Sequence, residues 1–87
     1  PPFTLYHGTV EKAIAAIRRE GLSKMNRHHV HLSKDKETAT NVGSRRGAPI
    51  ILEIAARKMH DEGHQFFLSE NGVWLVDAVP PGFIVFP

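Results

Sequence analysis

The 87-residue chain predicts an α+β fold, with two small β-sheets packed together and helices at their flanks. Three observations predict it. Short apolar stretches of strand length alternate with short amphipathic stretches of helix length. The connections between them are too short and uneven for a doubly wound parallel sheet. No internal repeat, low-complexity tract or linker divides the chain, so it reads as one domain.

Phe3–Tyr6 alternates and runs into His7-Gly8, a strand ending in a turn. Thr9 is a good N-cap for a following helix, with Glu11 in the first turn, where the helix dipole favours an acid. Ala13, Ile14 and Ile17 share one helical face; Lys12, Arg18 and Arg19 lie elsewhere. Gly21 closes this helix as the residue just past its end, and Leu22 returns to the core. Residues 23–28 are polar and read as a loop. Val30–Leu32 reads as a short buried strand. Ser33 or Asp35 caps a second helix running to about Gly43, with Ala39 and Val42 facing inward. Gly43 and Gly47 bracket a Ser-Arg-Arg loop. Pro49–Ile54 reads as a central strand, and Ala55–Glu62 as a short helix stopped by Gly63. Gln65–Leu68 and Val73–Val76 read as paired strands, with Asn71-Gly72 a strong turn signal. Pro80-Pro81-Gly82 breaks the chain before a last edge strand, Phe83–Phe86.

A hydrophobic fraction of 41% and a charged fraction of 23% belong to an ordinary globular domain and exclude a disordered one. A chain this short buries only about 60–65% of its unfolded surface, so the core is thin. The absence of cysteine excludes disulfides, thiolate metal sites and a cysteine nucleophile. It also fits a cytoplasmic protein. No apolar run approaches the roughly 18–20 residues that span a bilayer, and no signal-peptide pattern opens the chain. The start at Pro1-Pro2-Phe3 lacks a methionine, so residues upstream are expected. The net charge of +2 is unevenly spread. Between Arg18 and Arg46 eight bases face three acids, whereas from Gly47 onward two bases face five acids. The middle third is therefore a basic zone suited to phosphate-bearing ligands. A solvated basic helix face is the simpler alternative.

Three stretches could carry chemistry. In Arg27-His28-His29-Val30-His31-Leu32-Ser33, alternation puts His29 and His31 on one face and Val30 and Leu32 on the other. A zinc site from His7, His29 and His31 lacks a supporting carboxylate or cysteine spacing, so no metal is expected. From spacing alone, a hydrogen-bonded, half-buried His31 is the favoured reading. In Tyr6-His7-Gly8-Thr9, a histidine at a strand end precedes a bare glycine and a hydroxyl, which suits a sugar-phosphate contact. A turn glycine and a plain N-cap would leave the same trace. Asn71-Gly72-Val73-Trp74 reads as a hairpin turn followed by a core tryptophan. No Walker lysine, GxGxxG or GxSxG pattern occurs, which excludes Rossmann-type NAD binding and a hydrolase elbow.

Taken together, these stretches resemble the C-terminal lobe of the RNA 2′-phosphotransferase family, known from tRNA processing and splicing. The matching pieces run in order: Leu5-Tyr6-His7-Gly8-Thr9, Gly21-Leu22, Arg27-His28, and Val30-His31-Leu32-Ser33. Thr38-Ala39, Val42-Gly43, Arg45, Gly47 and Pro49-Ile50-Ile51-Leu52 follow. Asn71-Gly72-Val73-Trp74-Leu75 and Val79-Pro80-Pro81 complete the set, which covers nearly the whole chain.

The resemblance implies an ADP-ribosyltransferase-like fold in which NAD lies in a cleft between two small sheets. Three positions on successive strands mark that cleft, and they map to His7, His31 and Val73. The implied activity is transfer of an internal RNA 2′-phosphate to NAD, a co-substrate, without metal. The RNA phosphate attacks C1″ of the NAD ribose and expels nicotinamide. The ribose 2″-OH then attacks the phosphate, giving 2′-OH RNA and ADP-ribose 1″,2″-cyclic phosphate. Such a phosphate needs its charge neutralised, and arginine bonds it bidentately without titrating. Of the family's Arg-His-Arg-Arg set, the last maps to Arg27, the implied catalytic residue. The resemblance places His7, Gly8 and Thr9 at the NAD ribose and pyrophosphate. It places His31, Leu32 and Ser33 on the nicotinamide-ribose side, with Arg45 reaching a phosphate and Arg46 given no role. The other three members of the set belong to an N-terminal, winged-helix-like RNA-binding lobe that residues 1–87 do not contain. The chain is thus expected to be a monomeric, cytoplasmic NAD-binding lobe that binds NAD without completing phosphotransfer efficiently. Its expected partners are NAD, 2′-phosphorylated RNA and the N-terminal lobe, with no membrane. Two rival classes stay open. One is a small ADP-ribosyltransferase acting on protein or nucleic acid ends, with Glu70 as its acid; the other is a non-catalytic module binding NAD or RNA.

Overall fold

The computed structural model describes residues 1–24, 28–44 and 47–87. Arg27 and Arg45, both singled out above, lie outside the described residues, as does Arg46. The elements run β1 (Leu5–Thr9), a 3-10 turn (Glu11–Ala13), α1 (Ile14–Glu20), β2 (Leu22–Ser23), β3 (Val30–Leu32) and α2 (Lys36–Gly43). Then come β4 (Ile50–Ile54), α3 (Ala56–Asp61), β5 (Phe66–Leu68), β6 (Trp74–Val76), β7 (Ala78–Val79), a second 3-10 turn (Pro81–Phe83) and β8 (Ile84–Val85). The α+β class stands, and the strand pairings are antiparallel. They form a sheet β1-β4-β8, a sheet β3-β6-β5, and a two-stranded ribbon β2-β7. The ribbon corrects the expectation of two sheets alone. Two-residue strands are too short to show a period, and Leu22 becomes a strand only because Val79 lies beside it.

The first sheet separates two environments. Leu5 and Ile54 pair at one end of β1–β4 and both are fully buried, as is Leu52 opposite His7. Facing residues of an antiparallel pair share a side, so His7 and Thr9 lie on the core side. Tyr6 and Gly8 lie on the other side, against which α2 packs. The Lys36 ammonium, in the first turn of α2, stands 5.9 Å from the centre of the Tyr6 ring. Ala39 of α2 is buried there, apart from the main core. Val42, expected inward, is instead 55% exposed. An eight-residue helix across two strands buries a single narrow stripe, and Val42 falls outside it.

The main core fills the space between the two three-stranded sheets. Val30, Leu32 and Val76 meet Leu5, Leu52 and Ile54, with Met59 from α3 closing one end. Burying each such side chain contributes about 1.5–3 kcal/mol relative to leaving it in water. Ala56 and Met59, three residues apart in α3, give this short helix its single buried face. No helix among the described residues is long and apolar enough to cross a membrane.

Two boundaries differ from expectation. β1 begins at Leu5, not Phe3, because Arg57 holds the chain start elsewhere. Its guanidinium donates to the Pro1 carbonyl at 3.1 and 2.9 Å and lies 5.0 Å from the Phe3 ring centre. β1 also runs on to Thr9, which pairs with Ile50, so Thr9 ends a strand instead of capping a helix. Val10 stands at the start of the 3-10 turn without a side-chain cap. Cross-strand pairing outweighs the capping preference of Thr9. At Gly21 the expectation holds. Its φ is +77°, its N–H donates to the Ile17 carbonyl, and a β-carbon there would run into the Val79 carbonyl.

Asp35 caps α2. Its carboxylate accepts from the Thr38 N–H at 2.7 Å. That bond, with the Thr38 side chain and nearby Lys34, holds the carboxyl below the usual carboxylate value. A depressed folded-state pKa adds stability above the unfolded value and loses it as pH falls through the folded one. Asp35→Ala should therefore lower the urea midpoint at neutral pH, and the gap to the parent should close below about pH 4. A gap that persists in acid would show that the carboxylate charge is not what caps α2.

Candidate functional site

The two three-stranded sheets meet along the edges of β1 and β3. Tyr6 and Ser33 exchange two backbone hydrogen bonds, each 2.8 Å. Among the described residues this is the single bridge between the two strands. Carrying the antiparallel register onward would set Gly8 against His31, and there the strands part.

Strand geometry decides what faces the parting. The Tyr6 N–H and C=O point toward β3, so period two points those of Gly8 the same way. By the same rule the N–H and C=O of His31 point toward β1, in line with those of Ser33. The His7 side chain reaches across this gap, and its Nδ1 lies 3.1 Å from the His31 carbonyl oxygen. A carbonyl can only accept, so the His7 Nδ1 donates in this contact. The gap is thus edged by the Gly8 amide and carbonyl, the His31 amide and the His7 imidazole, with the Thr9 side chain on the His7 side of β1.

The remaining expected residues distribute around this gap. His31 itself is exposed, not half-buried; β3 alternates so that Val30 and Leu32 take the core and His31 faces out. Leu32 is fully buried, so its side chain backs the strand from the core side and offers no surface to a ligand in this state. Ser33 is half-buried at the bridge. Val73 is half-buried just before β6, whose first residue, Trp74, pairs with Leu32. One step further in that register brings Val73 to Ser33. The turn before it is held by Ser69, whose Oγ accepts from the Val73 N–H at 3.0 Å and whose N–H donates to the Val73 carbonyl at 2.9 Å. The positions His7, His31 and Val73 therefore sit on or beside three strands adjacent in space, β1, β3 and β6.

Glu70, the acid of the protein-modifying alternative, is exposed in the turn between β5 and β6, off either strand. Among the described residues no group of three or more His, Asp or Glu is placed to hold a metal ion. His29, one member of the histidine trio weighed above, turns instead to Phe67, with ring centres 5.6 Å apart. Tyr6 belongs to the Tyr6-His7-Gly8-Thr9 stretch, but the sequence gives it no role of its own. It serves through its backbone, and no side-chain pattern announces that.

Comparison with known proteins bears on the family of the chain. A family model described as RNA 2′-phosphotransferase, Tpt1/KptA family, matches residues 1–78. A probable RNA 2′-phosphotransferase of Rhodopirellula baltica is 63% identical over 87 residues, all of this chain and 47% of the relative. One from Streptomyces griseus is 61% identical over 85 residues, 98% of this chain and 45% of the relative. One from Nostoc punctiforme is 55% identical over 84 residues, 97% of this chain and 46% of the relative. The chain thus spans a little under half the length of these curated relatives.

Replacing His7 by Ala removes the side-chain tie across the gap and leaves the Tyr6–Ser33 bridge alone. Amide hydrogen exchange at Tyr6 and Ser33 should speed up roughly fivefold, the effect of about 1 kcal/mol from one net hydrogen bond. Unchanged exchange would mean that His7 does not hold the seam.

Proposed function

The chain belongs to the RNA 2′-phosphotransferase family, and from that premise we propose that it is the NAD-binding lobe of an enzyme that transfers an RNA 2′-phosphate to NAD. The observation that supports NAD binding is the parting of β1 from β3 beyond the Tyr6–Ser33 bridge. A dinucleotide carries a carboxamide, ribose hydroxyls and a pyrophosphate. The Gly8 edge offers one donor and one acceptor side by side, which matches a primary amide. Without a side chain at Gly8, a ligand can lie against that strand edge closely. The Thr9 and Ser33 hydroxyls and the His7 and His31 imidazoles suit ribose hydroxyls, which both donate and accept. When bound, NAD supplies the ribose carbon and hydroxyl that receive the phosphate.

What the chain's own residues do is hold and orient. The His7 bond to the His31 carbonyl fixes the imidazole tautomer and ring plane before any ligand arrives, a form of preorganisation. Leu32 stiffens β3 from behind. Val73, where other transferases of this fold carry an acid, leaves the reacting phosphate free of a nearby like charge. Arg27 is the residue we assign to neutralising that phosphate, and Arg45 to a second phosphate contact. The RNA, the N-terminal RNA-binding lobe, a monomeric state and a cytoplasmic setting belong to the same reading.

An NMR titration with NAD tests the site. Amides of His7, Gly8, Thr9, His31 and Ser33 should shift at millimolar NAD; a spectrum unmoved there would end the NAD reading for this lobe. Arg27 is tested in the full-length enzyme. Arg27→Ala should cut turnover about 100-fold or more while leaving NAD affinity within about twofold, as for loss of one transition-state charge contact. Turnover at the parent rate would remove Arg27 from the mechanism.

A further inference from the structure

The outer face of the β3-β6-β5 sheet carries, beyond His31, side chains to which the NAD reading gives no role. His31, Leu75 and Phe67 pair across the three strands in one row. The register carried one step further puts His29, Asp77 and Gln65 in the next row. The His29 ring meets the Phe67 ring with planes 58° apart. His29, Gln65, Phe67 and Asp77, together with His64, line a hollow of about 460 Å³. Phe67 is 45% exposed there, in the middle of a strand.

An exposed aromatic ring beside mixed hydrogen-bonding groups has a specific chemistry. A nucleobase needs a flat apolar surface for its face and paired donors and acceptors for its edge. Phe67 supplies the first. Gln65 supplies a donor and an acceptor, Asp77 an acceptor, and the two imidazoles further groups of either kind. Asp77 would repel a nucleic acid backbone if it stood alone, but the Lys24 ammonium lies 3.3 Å from it. Lys24 also belongs to the basic stretch from Arg18 to Arg46, whose eight bases and three acids favour a polyanion over a single dinucleotide.

We propose that this hollow holds one unpaired base of single-stranded RNA, stacked on Phe67 with its edge against Gln65 and Asp77. The proposal rests on the reading of the chain as part of an RNA-processing enzyme and names where the flanking nucleotide lies. His29 and His31 share a face two residues apart, about 7 Å along the strand. A base held at His29 therefore adjoins the gap beside His31, so the hollow would set which nucleotide stands next to the reacting phosphate.

The test is titration of the isotope-labelled chain with a tetra-adenylate RNA that carries no 2′-phosphate, in the absence of NAD. Amides of His29, Gln65, Phe67 and Asp77 should shift, and Phe67→Ala should weaken binding about fivefold or more, the lower range for one base–aromatic stack. Gln65→Ala, at an exposed position, should change the preference between tetra-adenylate and tetra-uridylate, and it reads the same hollow if Phe67→Ala fails to fold. Shifts confined to lysines and arginines, or parental affinity in both variants, would overturn the proposal. Movement of Phe67 and Gln65 by NAD, and not by RNA, would also overturn it by giving the hollow to the adenine of NAD. The NAD titration at His7 and Gly8 is read separately, so either assignment can fail without the other.

Discussion

Two reciprocal hydrogen bonds between Tyr6 and Ser33 join the edge of one three-stranded sheet to the edge of the other, and among the described residues this single bridge fixes how the two sheets meet. Had β1 and β3 zipped on in register, the Gly8 and His31 backbones would have satisfied each other, and a continuous sheet would present no unpaired polar edge. Because pairing among the described residues stops at one bridge, the Gly8 and His31 backbones do not bond each other across the two strands. Buried polar groups left unpaired cost about 1–3 kcal/mol each, so such an edge persists only where water or a ligand can reach it.

The gap is held open from behind. Leu5, Leu52 and Ile54 on one sheet and Val30, Leu32 and Val76 on the other are buried against each other, and this packing sets the positions of both strands. His7 spans the gap with a side-chain bond to the His31 backbone carbonyl. α2 covers the far side of the first sheet, where Gly8 and Tyr6 lie, and leaves the core side to the site.

Much of this was legible in the residues themselves. Val30–Leu32 matches its strand to the residue, because a β-branched residue and a leucine alternating with polar neighbours fit no other local structure. Ile50–Ile54 lies at the centre of its sheet, as a strand that is apolar but for Glu53 suggests. Gly21, Gly63 and Gly72 all take positive φ at the ends and turns they were read to mark. The errors share one cause. Thr9 was read as a cap, Phe3 as strand and Val42 as core from local preference. Each was overruled by a distant partner, namely Ile50, Arg57 and the narrow buried face of α2.

The site divides the same way. His7-Gly8-Thr9 and His31-Leu32-Ser33 stood out from sequence as residues, and their order along the chain carried the family resemblance. Period two alone settled that His31 and Leu32 point to opposite sides. Sequence could not say that His7 would reach the His31 carbonyl, or that Val73 would come beside Ser33. Nor could it gather His29, His64, Gln65, Phe67 and Asp77 around one hollow. Those are relations between strands far apart along the chain. Side-chain periodicity and turn chemistry act over a few residues and are written locally. Which edges meet, and where they part, depends on how the whole core packs, and only the tertiary structure decides that.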